Sequence, residues 1–81
     1  MILFDGQTYD KESDKPDIGS WVAYEVKPGN VRSYCGLNAD ISKLPVYNTT
    51  EHGELLGYGS TAICVDTSDV YIYHNSTWYE L

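Results

Sequence analysis

Residues 61–81, TAICVDTSDVYIYHNSTWYEL, decide how this chain folds. Thr61-Ala62-Ile63-Cys64-Val65, Val70-Tyr71-Ile72-Tyr73 and Thr77-Trp78-Tyr79-Glu80-Leu81 are dense in β-branched and aromatic residues, and such runs read as strands when turn formers bound them. The separators Asp66-Thr67-Ser68-Asp69 and His74-Asn75-Ser76 are of that kind. The stretch therefore predicts a three-stranded antiparallel meander, which can hold an apolar face where a lone hairpin is marginal.

The same grammar extends toward the N-terminus, with turn signals at spacings of about 8–12 residues and almost no helical periodicity. Ser20-Trp21-Val22-Ala23-Tyr24-Glu25-Val26 alternates, which predicts Val22, Tyr24 and Val26 on one face and Trp21, Ala23 and Glu25 on the other. Lys27-Pro28-Gly29-Asn30 supplies a turn, and Val31-Arg32-Ser33-Tyr34-Cys35 returns as the second arm of a hairpin. Ile2-Leu3-Phe4 and Gln7-Thr8-Tyr9 make a smaller hairpin around Asp5-Gly6, a pair suited to the positive φ values of a type I′ turn. Asp10 to Asp17 is polar apart from Pro16 and reads as a surface loop. Asn38 or Asp40 is expected to cap a short turn through Ile41-Ser42-Lys43-Leu44 that Pro45 stops. Residues 48–60, with three Gly and no alternation, read as a long mobile connection. The expectation is one small all-β domain over 1–81, built of antiparallel hairpins plus the meander, with at most one short helical turn near 40–44.

Leu, Ile, Val and Phe supply 18 of the 81 residues, about 22%, just above the roughly 20% below which a charged chain tends to stay disordered. Eight Tyr and two Trp add apolar surface. The core is nonetheless thin, because a chain of this size buries only about 60% of the surface it exposes when unfolded. Oligomerisation or docking onto a larger body is the expected supplement.

Twelve acidic residues against five basic ones give a net charge of −7, which opposes a phosphate backbone and disfavours nucleic acid as a partner. No apolar run approaches the roughly 18 residues that span a bilayer. Met1-Ile2-Leu3-Phe4 meets Asp5 with no basic region before it, so neither an export signal nor a membrane partner is expected. Cys35 and Cys64 are then expected as two separate reduced thiols. A zinc set of Cys35, His52, Cys64 and His74 is scattered singly, without the close pairs that bring two ligands in from one turn. The sequons at Asn48 and Asn75 matter only in a secretory pathway.

No constellation of catalytic residues stands out. His52 lies in the Gly-rich connection and His74 at a hairpin end, neither within a recognisable motif, and Asp66 and Asp69 read as turn residues. No phosphate-binding loop, nucleophile elbow or EF-hand loop is present. The expectation is a non-enzyme with no cofactor and no metal.

The aromatics say more. Along Val70–Tyr73, Tyr71 and Tyr73 share one face, and Trp78 joins them if the register allows. Trp21, Tyr71, Tyr73, Trp78 and Tyr79 are the candidate aromatic interface residues. Such a row serves three roles: capping a thin core, meeting a protein partner, or stacking a sugar.

The pattern Asp5-Gly6…Tyr9-Asp10-Lys11…Lys15-Pro16…Gly19-Ser20, Gly36-Leu37…Asp40…Lys43-Leu44-Pro45…Tyr47 and Asp66-Thr67…Tyr71…Thr77-Trp78-Tyr79-Glu80-Leu81 resembles small proteins encoded among the structural genes of tailed bacteriophages. The similarity covers nearly the whole chain. It implies a virion structural or accessory protein, present in the host cytoplasm during assembly, that acts by protein–protein contact in head decoration, a head fibre, or tail or baseplate attachment. Other virion proteins, and a second copy of this chain, are the implied partners. It supplies no catalytic residues. A glycan-binding module for host-surface engagement, using Tyr71, Tyr73 and Trp78, is the alternative.

Overall fold

A computed structural model describes all residues, Met1–Leu81. Seven strands form: β1 Ile2–Phe4, β2 Gln7–Tyr9, β3 Val22–Lys27, β4 Val31–Gly36, β5 Thr61–Cys64, β6 Val70–His74 and β7 Thr77–Glu80. β1 and β2 make a separate two-stranded hairpin, and the rest form one sheet in the order β3-β4-β5-β6-β7. The C-terminal meander, both hairpins and the all-β class are as the sequence predicts.

Local turn chemistry accounts for the hairpins. Asp5 and Gly6 hold φ of 50° and 75° between β1 and β2, and Asn75 and Ser76 hold 50° and 65° between β6 and β7. Two consecutive positive values are what a type I′ turn requires. Gly29 and Asn30, at 82° and 55°, do the corresponding work after Pro28.

Two features lie beyond the local pattern. β4 and β5 run parallel, Tyr34 opposite Ala62 and Cys35 opposite Ile63, so the sheet consists of a hairpin and a meander joined side by side. Parallel neighbours require a long crossover, here the irregular residues 37–60 rather than a helix. The second feature corrects the expected alternation of β3. Its register to β4 shifts between Ala23, opposite Tyr34, and Glu25, opposite Ser33, leaving Tyr24 as the extra residue of a β-bulge. A one-residue shift reverses the side-chain faces, so Val22 shares a face with Glu25 while Val26, opposite Arg32, falls on the other side.

The core lies on one face of the sheet. Tyr34 from β4, Ala62 and Cys64 from β5 and Tyr73 from β6 point into it, and Ile18, Trp21, Leu44, Tyr47 and Leu56 close it from the covering chain. A 3-10 segment at Asn38–Lys43 occupies the predicted place. Its side-chain caps are absent: Asn38 Nδ2 reaches Asp69 at 3.2 Å, and the Asp40 carboxylate accepts from the Ser20 N–H at 2.9 Å. A further single 3-10 turn, Glu12–Asp14, lies within the polar loop.

The 48–60 connection, read above as mobile, is tied to the rest of the chain by backbone hydrogen bonds. Leu56 N–H donates to Tyr47 O at 2.8 Å, Gly57 N–H to Asn30 O at 3.0 Å, and Gly59 N–H to Tyr73 O at 2.9 Å. Leu56 is buried in the core, while Leu55 and Tyr58 stay exposed.

Candidate functional site

Four of the five candidate aromatic residues turn toward the chain's own core. Trp21 is 2% exposed and donates its indole N–H to Asp40 O at 2.7 Å. Its ring lies so close to Gly36 that a Cβ there would stand 2.6 Å from it. Tyr73 is buried, and Tyr71 and Trp78 pack against the same cluster. Trp78 sits opposite Tyr73 with ring centroids 5.2 Å apart, and its N–H donates to Pro45 O at 2.9 Å. Of the roles the sequence leaves open for this row, the geometry describes core packing. Tyr79 alone points away and is exposed.

Sequence reasoning missed a buried polar cluster built on the tip of the first hairpin. Asp5 Oδ1 lies 3.1 Å from Arg32 Nη1, with both side chains under a tenth exposed. Asp5 Oδ2 accepts from the hydroxyls of Tyr34 at 2.8 Å and Tyr47 at 2.5 Å. Arg32 also donates to Asp5 O, to the Tyr34 hydroxyl at 3.0 Å and, through Nε, to Asn30 Oδ1 at 2.9 Å. Gly6 is needed for contact as well as for its φ, since a Cβ would fall 2.1 Å from Arg32 Nη2. Burial, then the Asp5 charge and hydrogen bond, pushes the Tyr34 phenol well above its usual range. Burial, then the hydrogen bond to Asp5, pushes Tyr47 further in the same direction. The one signal for this cluster in the sequence was the only arginine, placed two residues before Tyr34 and so on the same face of an apolar strand. Every polar side-chain atom that is wholly out of solvent finds a partner. With its charges mutually satisfied, the cluster fastens the hairpin to the sheet and presents no free acid, base or nucleophile.

The other chemistry-bearing residues stay apart. Cys35 and Cys64 are free thiols on opposite faces, Cys35 partly exposed and Cys64 buried. His52 lies against Tyr9, His74 lies near Tyr58, and no three His, Cys, Asp or Glu side chains group as a metal would need.

What remains open is the outer face of the large sheet. The register places Val22, Cys35, Ile63 and Val70 in one row across four strands, with Glu25, Ser33, Thr61, Ile72 and Tyr79 in the next. None of these belongs to the core cluster and none is fully buried. The charged pair on this face, Lys27 and Glu25 at 3.7 Å, cancels. A chain of net charge −7 thus carries, on this side, an apolar group interleaved with Ser33 and Thr61, and its one ion pair cancels. Family models, curated proteins and solved structures provide no match to this chain, and the sheet face is read from its own geometry.

Proposed function

We propose that this chain is a structural or accessory protein of a tailed-bacteriophage particle, acting by protein–protein contact through the outer face of its five-stranded sheet. The observation that carries the reading is that face: an exposed or half-buried group of Val22, Ile63, Val70, Ile72 and Tyr79, whose charged pair Glu25–Lys27 cancels. Contiguous apolar patches rimmed by polar residues are the usual mark of a protein contact, and interface centres are depleted of charge in the same way. The whole-chain resemblance to small phage structural proteins supplies the setting, whether head decoration, a head fibre, or tail or baseplate attachment. The sugar-platform alternative finds less support at Tyr71, Tyr73 and Trp78, whose rings are occupied by the core.

Mass spectrometry of purified particles, with parent protein and an Ile72→Lys variant, tests the proposal. Ile72 is on the outer face opposite Thr61 and Tyr79, so the lysine is expected to leave the melting point of the isolated chain in place and abolish incorporation. Absence of the parent protein from particles, or normal incorporation of Ile72→Lys, would remove this reading.

A further inference from the structure

The covered side of the sheet holds a feature that the contact face does not use. A half-open groove of about 360 Å³ lies between the N-terminal hairpin, the Asn38–Lys43 segment and the connection. Its floor includes Gln7 and Tyr9, the two inward residues of β2, only 1% and 4% exposed. Gln7 Nε2 donates to Glu54 O at 2.9 Å, which fixes the amide orientation and turns Oε1 away from that partner. Neither Gln7 Oε1 nor the Tyr9 hydroxyl has a hydrogen-bond partner in the chain, whereas the neighbouring Tyr34 and Tyr47 hydroxyls are both held by Asp5. No fully buried polar side-chain atom is left unsatisfied. The little surface that Gln7 and Tyr9 keep therefore includes these two oxygens, and both residues line the groove.

The surroundings restrict what fits. The His52 ring forms a wall 4.5 Å from the Tyr9 ring and is held by Nδ1 at 2.9 Å from Thr8 O. Asn48 and Thr49 offer an amide and a hydroxyl from the other side. At the rim, Lys43 is neutralised by Asp17 at 3.1 Å, Asp14 adds a carboxylate without an ion-pair partner, and the chain's charge of −7 disfavours an anion. The space takes about a dozen waters at roughly 30 Å³ each, which suits a mono- or disaccharide. An aromatic wall over convergent polar groups, here Gln7, Tyr9, Asn48 and Thr49 with charged residues at the rim, is the usual make-up of a small-molecule site, and acidic side chains also accept hydrogen bonds from sugar hydroxyls.

We propose that this groove binds a neutral saccharide, whose hydroxyls donate to Gln7 Oε1 and exchange hydrogen bonds with the Tyr9 hydroxyl. The site is independent of the particle-contact face, being on the opposite side of the sheet, and its failure would leave that reading untouched.

Amide NMR of the full chain, titrated with glucose, maltose, N-acetylglucosamine, di-N-acetylchitobiose and a panel of neutral mono- and disaccharides from bacterial surfaces, tests it. Shifts are expected at Gln7, Tyr9, Asn48, Thr49 and His52, saturating in the millimolar range or below. Tyr9→Phe should weaken binding about tenfold, the worth of one hydrogen bond. It should keep the parent melting point, because the hydroxyl it removes has no partner in the chain. No shift with any sugar, a response to tetramethylammonium or a peptide instead, unchanged affinity in Tyr9→Phe, or a lowered melting point in that variant would each overturn the proposal.

Discussion

Replacing Asp5 by Asn tests what holds the two sheets together. Asparagine keeps the shape and tolerates the positive φ of 50° that the turn imposes, so the substitution acts on the charge and leaves the backbone alone. Its carbonyl can still accept from Tyr34 or Tyr47, but its amide then faces Arg32 Nη1, which lay 3.1 Å from a carboxylate oxygen and is itself a donor. The guanidinium stays buried with no counter-charge. Breaking one partner of a buried pair costs about 3–5 kcal/mol, against the roughly 4–12 kcal/mol expected for a domain of this length. Urea unfolding followed by tryptophan fluorescence should show that loss as a lower midpoint with an unchanged slope. At about 4–8 °C per kcal/mol, the melting point should fall by at least about 12 °C. Pairing Asp5→Asn with Arg32→Met, which removes the stranded charge, should restore part of the loss. A drop below about 1 kcal/mol would place the pair in the regime of exposed ion pairs and refute the account of the cluster as the fastening of the hairpin.

Three further outcomes follow from the same geometry. The phenols of Tyr34 and Tyr47 ionise above their usual value in the folded chain, so the unfolded state loses these protons first as pH rises; stability is full below about pH 10 and falls above it by about 1.4 kcal/mol per pH unit for each group. Absorbance titration at alkaline pH should find both silent until the chain unfolds, and early titration of all eight tyrosines without unfolding would contradict this. Trp78→Ala removes a ring packed on Tyr73 and edge-on to Tyr34 at 6.3 Å and should cost about 3–5 kcal/mol, read by denaturant midpoint; an unchanged midpoint would mean the ring adds nothing to the core. Under native conditions a thiol reagent should modify Cys35 readily and Cys64 only after denaturation, in keeping with their exposures, and equal rates would contradict the assigned faces.

The hairpins were legible because their causes are local: Asp5-Gly6, Pro28-Gly29-Asn30 and Asn75-Ser76 set their own backbone angles. The order of the sheet was not, because the parallel pairing of β4 with β5 depends on where residues 37–60 return, and nothing in the Gly-rich stretch encodes that destination. The bulge at Tyr24 was equally hidden, since strict alternation through Ser20–Val26 gives no sign that one residue is extra. The same limit applied to the site. Asp5 is a good turn residue by itself, and only the fold brings it to an arginine 27 positions away. The row of Tyr71, Tyr73 and Trp78 was identified as a row, but which face needed it depended on the covering chain. Gln7 and Tyr9 give no signal of their own in the sequence, because two residues in a three-residue strand carry too little pattern.

More than half of the chain, residues 1–20 and 37–60, serves to cover one side of a five-stranded sheet. The other side is left with Ile63, Val70 and Ile72 near the centre of the sheet, where strand pairing already removes the backbone from solvent and only side chains face outward. At the β3 edge, where free backbone groups invite indiscriminate pairing, the bulge at Tyr24 breaks the ladder, a common defence of edge strands. Charge is distributed to the same effect: of twelve acidic residues only Glu25 falls on the outer face, and it is paired. Net charge of one sign opposes self-association, and on the proposed reading this face would meet a partner without desolvating an unpaired carboxylate, which would cost several kcal/mol per ion. A sheet that merely lacked a second layer would gain by scattering Glu or Lys across its open side. On the proposed reading, a centre of branched side chains without net charge, beside a β3 edge interrupted by a bulge, suits a surface that pairs face-on with a neighbour.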